Sequence, residues 1–253
     1  MKFSKSIQLS MVAVLFLGIA AYIVYAMAAM SDGDKEEKCK DLVLNIEDAE
    51  NADFINRESV EKLLHNNNIY IKGELLKDIN VRRIEQVLKQ DQFIDNVQCY
   101  KTANGKVTIN IHQRTPVLYI LPDNQDGYYI DANGEIIRNT DYPINLPVAT
   151  GCISQKYASS CLALLGSYLA ENPFWNNQIE QIYVSINHDK RYSIDLVPRV
   201  GQQNIHLGSI NNFQRKLERL SIFYKKAMTS IGWNKYSSIN LEYDNQIICK
   251  KTN

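Results

Sequence analysis

The chain has 253 residues, room for a membrane segment followed by two small domains or one larger one with a real hydrophobic core. Its 28 basic and 28 acidic residues leave a formal net charge of zero, which excludes recruitment of nucleic acid or anionic lipid by an overall field. Fifteen tyrosines and abundant asparagine suit strands, turns and polar surface better than a long helical bundle.

Residues 6–30 carry no charged side chain, with Lys2 and Lys5 before them and a charged cluster at 32–41 after them. The apolar core, 7–27, is long enough as one helix to cross a hydrocarbon layer of about 30 Å. A cleavable secretory signal also starts with lysines, but its apolar core runs to about 7–15 residues. This one is longer, although the small residues at 26–30 offer a peptidase a site, and a buried soluble helix is the third reading. The expectation is a retained anchor: residues 1–5 as a short inside tail, 6–30 spanning, 31–41 as a linker. Lys2, Lys5 and the terminal amine favour an inside N-terminus, while Lys35, Lys38 and Lys40 weaken a simple count of basic residues.

After the linker, Leu42, Leu44 and Ile46 alternate with Val43 and Asn45 as in a short strand. Val60, Leu63 and Leu64 form a helical face that Asn56 is placed to cap, and Ile79, Ile84, Val87 and Leu88 form a second, with Asn80 as its cap. The period then changes to two. Residues 93–100 read as a strand, Asn104-Gly105 as a tight turn, and 106–112 as a strand with Val107, Ile109 and Ile111 on one face. Residues 42–114 are therefore expected to form a β-α-α-β-β module, two helices covering one face of a three-stranded sheet whose edges stay open to a partner strand.

Thr115-Pro116 marks the exit from this module. Over 115–253 the pattern is a mixed sheet with helices. Strands are expected at 117–121, at 128–130 and, across a turn at Asp131, Asn133 and Gly134, at Ile136 and Ile137; the turn lacks the later acidic ligands of a calcium loop. Tyr142-Pro143 to Leu146-Pro147 reads as irregular backbone leading to Val148 and Ala149. A helix at 155–169 shows Cys161, Leu164, Leu165 and Tyr168 on one side, with Pro173 helping to end it. Ile182, Val184 and Ile186 and then Tyr192, Ile194 and Leu196 alternate as a hairpin, and Ile205 and Leu207 suggest a further strand. The clearest helix places Phe213, Leu217, Leu220, Tyr224, Ala227 and Ile231 on its apolar face, Arg215, Lys216, Glu218 and Arg219 on its wet side, and Gly232 at its end. Ile239, Leu241 and Tyr243 alternate again, Asp244-Asn245 turns or bulges, and 247–249 resumes the sheet pattern.

Chemistry is sparse. His65, His112, His188 and His206 are isolated, and none pairs at the compact spacing of a zinc site. No nucleophile elbow, glycine-rich phosphate loop or local Cys-His pair occurs. The acidic cluster Glu47, Asp48, Glu50 and Asp53 does not establish the two-carboxylate separation of sugar chemistry. The expectation is no enzyme, no cofactor and no metal. Cys39, Cys99, Cys152, Cys161 and Cys249 allow two disulfides, of which Cys152–Cys161 closes the shortest loop, against buried free thiols as the plainer reading. Arg215, Lys216, Arg219, Lys225 and Lys226 suit either an acidic partner or a solvated helix face. At the end, Ile247 and Ile248 raise a different idea: if one faces a core and the other faces out, a partner strand would cover the edge hydrogen bonds and the outward side chain together.

The arrangement resembles the FtsQ/DivIB family of bacterial division proteins, its FtsQ branch in particular. The resemblance is carried by the single anchor after a short tail, the β-α-α-β-β unit, Gln113-Arg114-Thr115-Pro116-Val117, Tyr129-Ile130-Asp131 with Asn133-Gly134, Leu146-Pro147-Val148, Lys216-Leu217, and Ile239-Asn240-Leu241-Glu242-Tyr243-Asp244-Asn245. It implies a POTRA domain at 42–114 and the family's C-terminal β domain at 115–253, both periplasmic on the cytoplasmic (inner) membrane and enriched at the division septum. It implies a noncatalytic scaffold that binds FtsB-like and FtsL-like partners and helps assemble the septal peptidoglycan synthase complex. Partner binding by strand addition then falls on the last helix and strand, with Arg215, Arg219, Tyr243, Ile247, Ile248 and Cys249 as candidate contacts. A membrane-anchored POTRA chaperone or transport accessory is the alternative, and a cell-wall hydrolase a distant third.

Overall fold

The computed structural model describes residues 5–32, 37–47, 54–138, 145–228, 232–233 and 235–252. The chain separates into two compact units, one containing residues 55–112 with the N-terminal segment, the other residues 113–253. The expected irregular stretch at Tyr142-Pro143, the acidic Asp48, Glu50 and Asp53, Ile231 and the side chain of Ala227 lie outside what is described.

The first unit opens with helix α1, Lys5–Asp32. Val14, Leu15, Phe16 and Leu17 are all exposed on it. At about 100° per residue, four consecutive positions sample the whole circumference, so the helix has no polar side. Among the described residues no helix is long and apolar enough to cross a membrane, and the described side chains of α1 are those of 14–27, a shorter stretch than the expected span.

The β-α-α-β-β expectation is met: β1 (Asp41–Glu47), α2 (Arg57–Asn66), α3 (Val81–Leu88), β2 (Ile94–Lys101) and β3 (Lys106–Gln113) form a sheet in the order β1-β3-β2, β1 running parallel to β3. Both helices start by one device. Asn56 accepts from the Ser59 backbone N–H while the Ser59 hydroxyl accepts from that of Asn56, and Asn80 accepts from the Arg83 N–H. Each cap is preceded by an isoleucine, Ile55 or Ile79, and followed four residues on by Val60 or Ile84, and all four are buried, the placement of a hydrophobic staple. Val107, Ile109 and Ile111 are fully buried on β3, as their alternation requires.

Among the described residues the second unit is one nine-stranded mixed sheet with helices on one face. Its strands are β4 (Pro116–Pro122), β5 (Tyr128–Asp131), β6 (Ile136–Ile137), β7 (Val148–Gly151), β8 (Ile179–Ile186), β9 (Tyr192–Pro198), β10 (Asn204–Gly208), β11 (Tyr236–Asn240) and β12 (Ile248–Lys251), in the order β12-β11-β10-β9-β8-β7-β4-β5-β6. The helices are α4 (Gln155–Tyr157) continuing through a π-helical turn at Ala158–Leu162 into α5 (Ala163–Glu171), then α6 (Pro173–Gln178) and α7 (Phe213–Phe223), which ends in a second π-helical turn at Tyr224–Met228. Leu118, Ile120, Ile182, Val184, Ile194, Leu196, Ile205 and Ile239 from the strands share one core with Leu162, Leu165, Leu169, Trp175, Leu217, Leu220 and Tyr224 from the helices.

Two expectations are corrected here for physical reasons, at Leu164 and at Lys216. On the 155–169 helix Leu165 is buried and Cys161 and Tyr168 pack partly buried against the core, as expected, but Leu164 is 59% exposed, and Ala158, Leu162, Ala163 and Leu169 make up the rest of the buried side. The π turn inserts an extra residue and rotates the helix beyond it. It is held by the Ser159 hydroxyl donating to Gly134 O at 2.6 Å, and a side chain at Gly134, where φ is +82°, would collide with Ser159 O. The helix ends at Glu171, with Asn172 extended before Pro173 as expected, and Pro173 itself begins α6, where its missing N–H costs nothing. Lys216, expected on the wet side of α7, is 5% exposed.

Candidate functional site

At the junction of the two sequence blocks, Arg114 Nη1 donates to Asp131 Oδ2 at 2.5 Å, and the other Asp131 oxygen accepts from the backbone N–H groups of Asn133 and Glu135. The Arg-Thr-Pro and Asp-x-Asn-Gly motifs are thus two halves of one buried ion pair that shapes the β5–β6 turn. This is architecture rather than a reactive site.

Of the six candidate contact residues, Arg219, Tyr243, Ile247, Ile248 and Cys249 lie together about the end of the sheet formed by β11 and β12. β12 is the edge strand, paired antiparallel with β11 through Asn240↔Ile248, Ile239↔Cys249 and Ser238↔Lys250, so its outer row of backbone groups faces no strand among the described residues. Cys249 and Ile247 pack partly buried against the core. Ile248 is 49% exposed and lies opposite Asn240, on the sheet face away from the helices. Of the two isoleucines, Ile247 is thus the one against the core and Ile248 the one facing out. Tyr243 differs from its expected strand alternation: β11 ends at Asn240, the chain turns with Asn245 in the left-handed region at φ 61°, and Tyr243 is exposed on that loop. Arg215 is exposed on α7.

Arg219 is a structural clamp rather than a free cation. Its Nη1 donates to Tyr243 O at 2.8 Å and to Gln246 O at 3.4 Å, and its Nη2 to Leu241 O at 3.0 Å. The guanidinium fork therefore gathers the carbonyls of the loop that delivers the chain to β12. Beside it, Ile222, Phe223, Lys226, Asn245, Gln246 and Ile247 join Arg219 in lining a groove of about 330 Å³. Ile222, 49% exposed, escapes sequence reasoning because it falls outside the three-and-four spacing of the buried face of α7.

Lys216 donates from Nζ to Leu207 O at 2.9 Å and Ser209 O at 2.7 Å, closing the exit of β10; burial holds its ammonium below the ordinary lysine range, with Glu242 acting in opposition. On the open face, His206 Nδ1 lies 2.6 Å from Asp195 Oδ1 and Nε2 lies 3.4 Å from Glu242 Oε2. The isolated histidine of the sequence is thus not isolated in space. The out-pointing polar positions of β9 and β10 were legible; their pairing needed the strand register.

All five cysteines are free thiols, so the Cys152–Cys161 bridge does not form in this structure. Cys152 is exposed with its thiol 3.5 Å from Asp123 Oδ2, a contact that raises its pKa and keeps it protonated. Burial, seconded by Glu85, pushes Cys99 up to about 12, and burial raises Cys249. The raised values leave Cys99, Cys152 and Cys249 as thiols rather than activated nucleophiles. Among the described residues no group of three or more His, Cys, Asp or Glu is placed to hold a metal ion.

Comparison with known proteins agrees with this architecture. The family model described as FtsQ/DivIB, C-terminal related matches residues 115–250, and one described as a POTRA-like domain matches residues 37–112. The chain is 26% identical over 192 residues to a protein of Geotalea daltonii named cell division protein FtsQ, an alignment that covers 71% of this chain and 66% of that relative, just short of two thirds of the relative's length.

Proposed function

The chain belongs to the FtsQ/DivIB family, and from that premise we propose that it is a noncatalytic cell-division scaffold whose β12 edge accepts a strand from a partner. The observation that carries the reading is the edge itself: β12 ends the sheet, presents Ile248 half-exposed, and borders the apolar groove lined by Ile222, Phe223 and Ile247. An added strand would satisfy the outer backbone groups of β12 and cover Ile248, and the neighbouring groove, with the exposed Lys226 on its rim, suits a partner segment that is apolar with an acidic flank. FtsB-like and FtsL-like division proteins are the partners proposed, with delivery to the septal peptidoglycan synthase complex as the outcome.

Residues 6–30 are proposed as a single anchor in the cytoplasmic membrane, with residues 1–5 inside, 31–41 as linker, and the POTRA domain, 42–114, and β domain, 115–253, in the periplasm at the septum. The support is chemical: a helix apolar on every side must be covered by protein or lipid, and over 14–27 the large apolar side chains of α1, from Val14 to Met27, are exposed in the free chain. The POTRA unit has the edge strand β1 as a further point of attachment for recruitment.

The test is capture from mildly solubilised membranes with the intact chain and with a truncation before Ile247 whose folding is verified by cooperative unfolding. Recovery of FtsB-like and FtsL-like proteins with the intact chain alone supports the reading. Recovery with both forms moves the interface away from β12, and recovery of exported polypeptides instead favours the chaperone or transport role.

A further inference from the structure

We infer that Asp195, His206 and Glu242 form a proton-dependent latch, which holds the loop between β11 and β12 against β10 when His206 is charged and releases it when His206 is neutral. The consequence for partner docking rests on the proposed role of the β12 edge; the latch itself is a property of the free protein.

The geometry is specific. One imidazole faces a carboxylate from each ring nitrogen, Asp195 at Nδ1 and Glu242 at Nε2. Only the imidazolium has a proton on both nitrogens; the neutral ring keeps one and turns a lone pair toward the other carboxylate. The two carboxylates are not equivalent. Asp195 sits on β9 directly across from His206 in the strand register, 21% exposed and at 2.6 Å, whereas Glu242 is 44% exposed and at 3.4 Å. Glu242 belongs to the loop after β11, so it is the contact released on deprotonation. That loop is otherwise tied to β10 by the Leu241 N–H donating to His206 O at 2.8 Å, and its carbonyls rest on Arg219. A change at Nε2 therefore acts on the segment that positions Ile247 and Ile248.

The surrounding groups set the sign. The hydrogen bond that His206 donates to Asp195 is the largest influence and raises the His206 pKa above its ordinary 6.5; partial burial opposes it, and the Asp195 charge and Glu242 add to it. On the β11 side the residue opposite is the neutral Asn240. From α7, the Lys216 ammonium interacts with Glu242 and with Asp244, and with Arg219. Because the folded-state value is raised, the latch contributes fully below about pH 6.5 and is lost as pH rises through the raised value.

Hydrogen exchange on the full chain in detergent micelles, from about pH 6 to about pH 9 and corrected for intrinsic exchange, reads the latch directly. Protection over residues 241–251 is expected to fall about two- to fivefold across that range, the scale of one partly exposed ion pair, while the β8–β9 hairpin keeps its protection. His206→Gln and, independently, Glu242→Gln are expected to abolish this pH dependence. No pH dependence in the unsubstituted protein, or the same dependence in His206→Gln, overturns the latch. Partner capture with the truncation before Ile247 separates the two readings: pH-dependent protection together with capture that ignores the truncation upholds the latch and overturns docking at β12.

Discussion

Replacing Arg219 by methionine tests whether the β12 edge is pre-ordered by the α7 clamp. Methionine keeps an apolar stem against the groove and removes only the fork. Two of its hydrogen bonds are short, to Tyr243 O at 2.8 Å and Leu241 O at 3.0 Å; the one to Gln246 O at 3.4 Å is long. At about 1.5 kcal/mol each, the low end for bonds to a charged group because Arg219 is only half-buried, the two short bonds contribute about 3 kcal/mol to holding the loop. That corresponds to a population change on the order of a hundredfold. Hydrogen exchange over 241–249 should lose protection by about that factor, while global unfolding shifts less, because Leu217 and Leu220 still anchor α7 in the core. Arg219→Lys should recover part of the loss, since an ammonium cannot hold the carbonyls as a planar fork. Unchanged protection over 241–249 in the methionine variant would refute the clamp.

Ile248→Asp should leave folding within about 1 kcal/mol, because the residue is half-exposed, yet weaken partner binding at least about tenfold by placing a carboxylate under the added strand; an equal loss of folding and binding, read by urea unfolding and capture, would place Ile248 in the core. Leu217 is fully buried, and Leu217→Asp should cost more than about 4 kcal/mol, a large part of the stability of an ordinary domain, so preserved cooperative unfolding of the β domain would show that the buried face of α7 is misassigned. Burial raises the Tyr224 phenol to about 12 from an ordinary 10.0, with its Gln203 hydrogen bond opposing. The stability it contributes is complete below about pH 10 and lost as pH rises toward 12, so Tyr224→Phe should flatten the alkaline arm of a stability profile, and an unchanged arm would exclude this residue as its source.

The architecture was legible where burial follows a simple period. Val107, Ile109 and Ile111 alternate and are buried, and Phe213, Leu217, Leu220 and Tyr224 keep helical spacing and are buried. Legibility ended where one residue changed the phase or the register decided a contact. The π turn at Ala158–Leu162 moved the core face from Leu164 to Leu162, Ala163 and Leu169, and no local pattern marks such an insertion. Lys216 reads as solvated in any helical wheel, because only the fold reveals that the carbonyls of Leu207 and Ser209 end within its reach. At the candidate site the terminal strand was readable, whereas which of Ile247 and Ile248 faces out was settled only by the register of β12 on β11. Arg219, a candidate partner contact on the sequence, is engaged with the carbonyls of its own chain, a role that depends on a loop more than twenty residues away.

The most direct test of the docking edge is residue-specific photo-crosslinking in dividing cells, with the probe placed in turn at Lys250 on β12 and at Tyr183 on β8, an exposed position in the interior of the sheet. Strand addition predicts a covalent adduct with an FtsB-like partner from Lys250 and none from Tyr183. Adducts from Tyr183 alone, with Lys250 silent, would contradict the account.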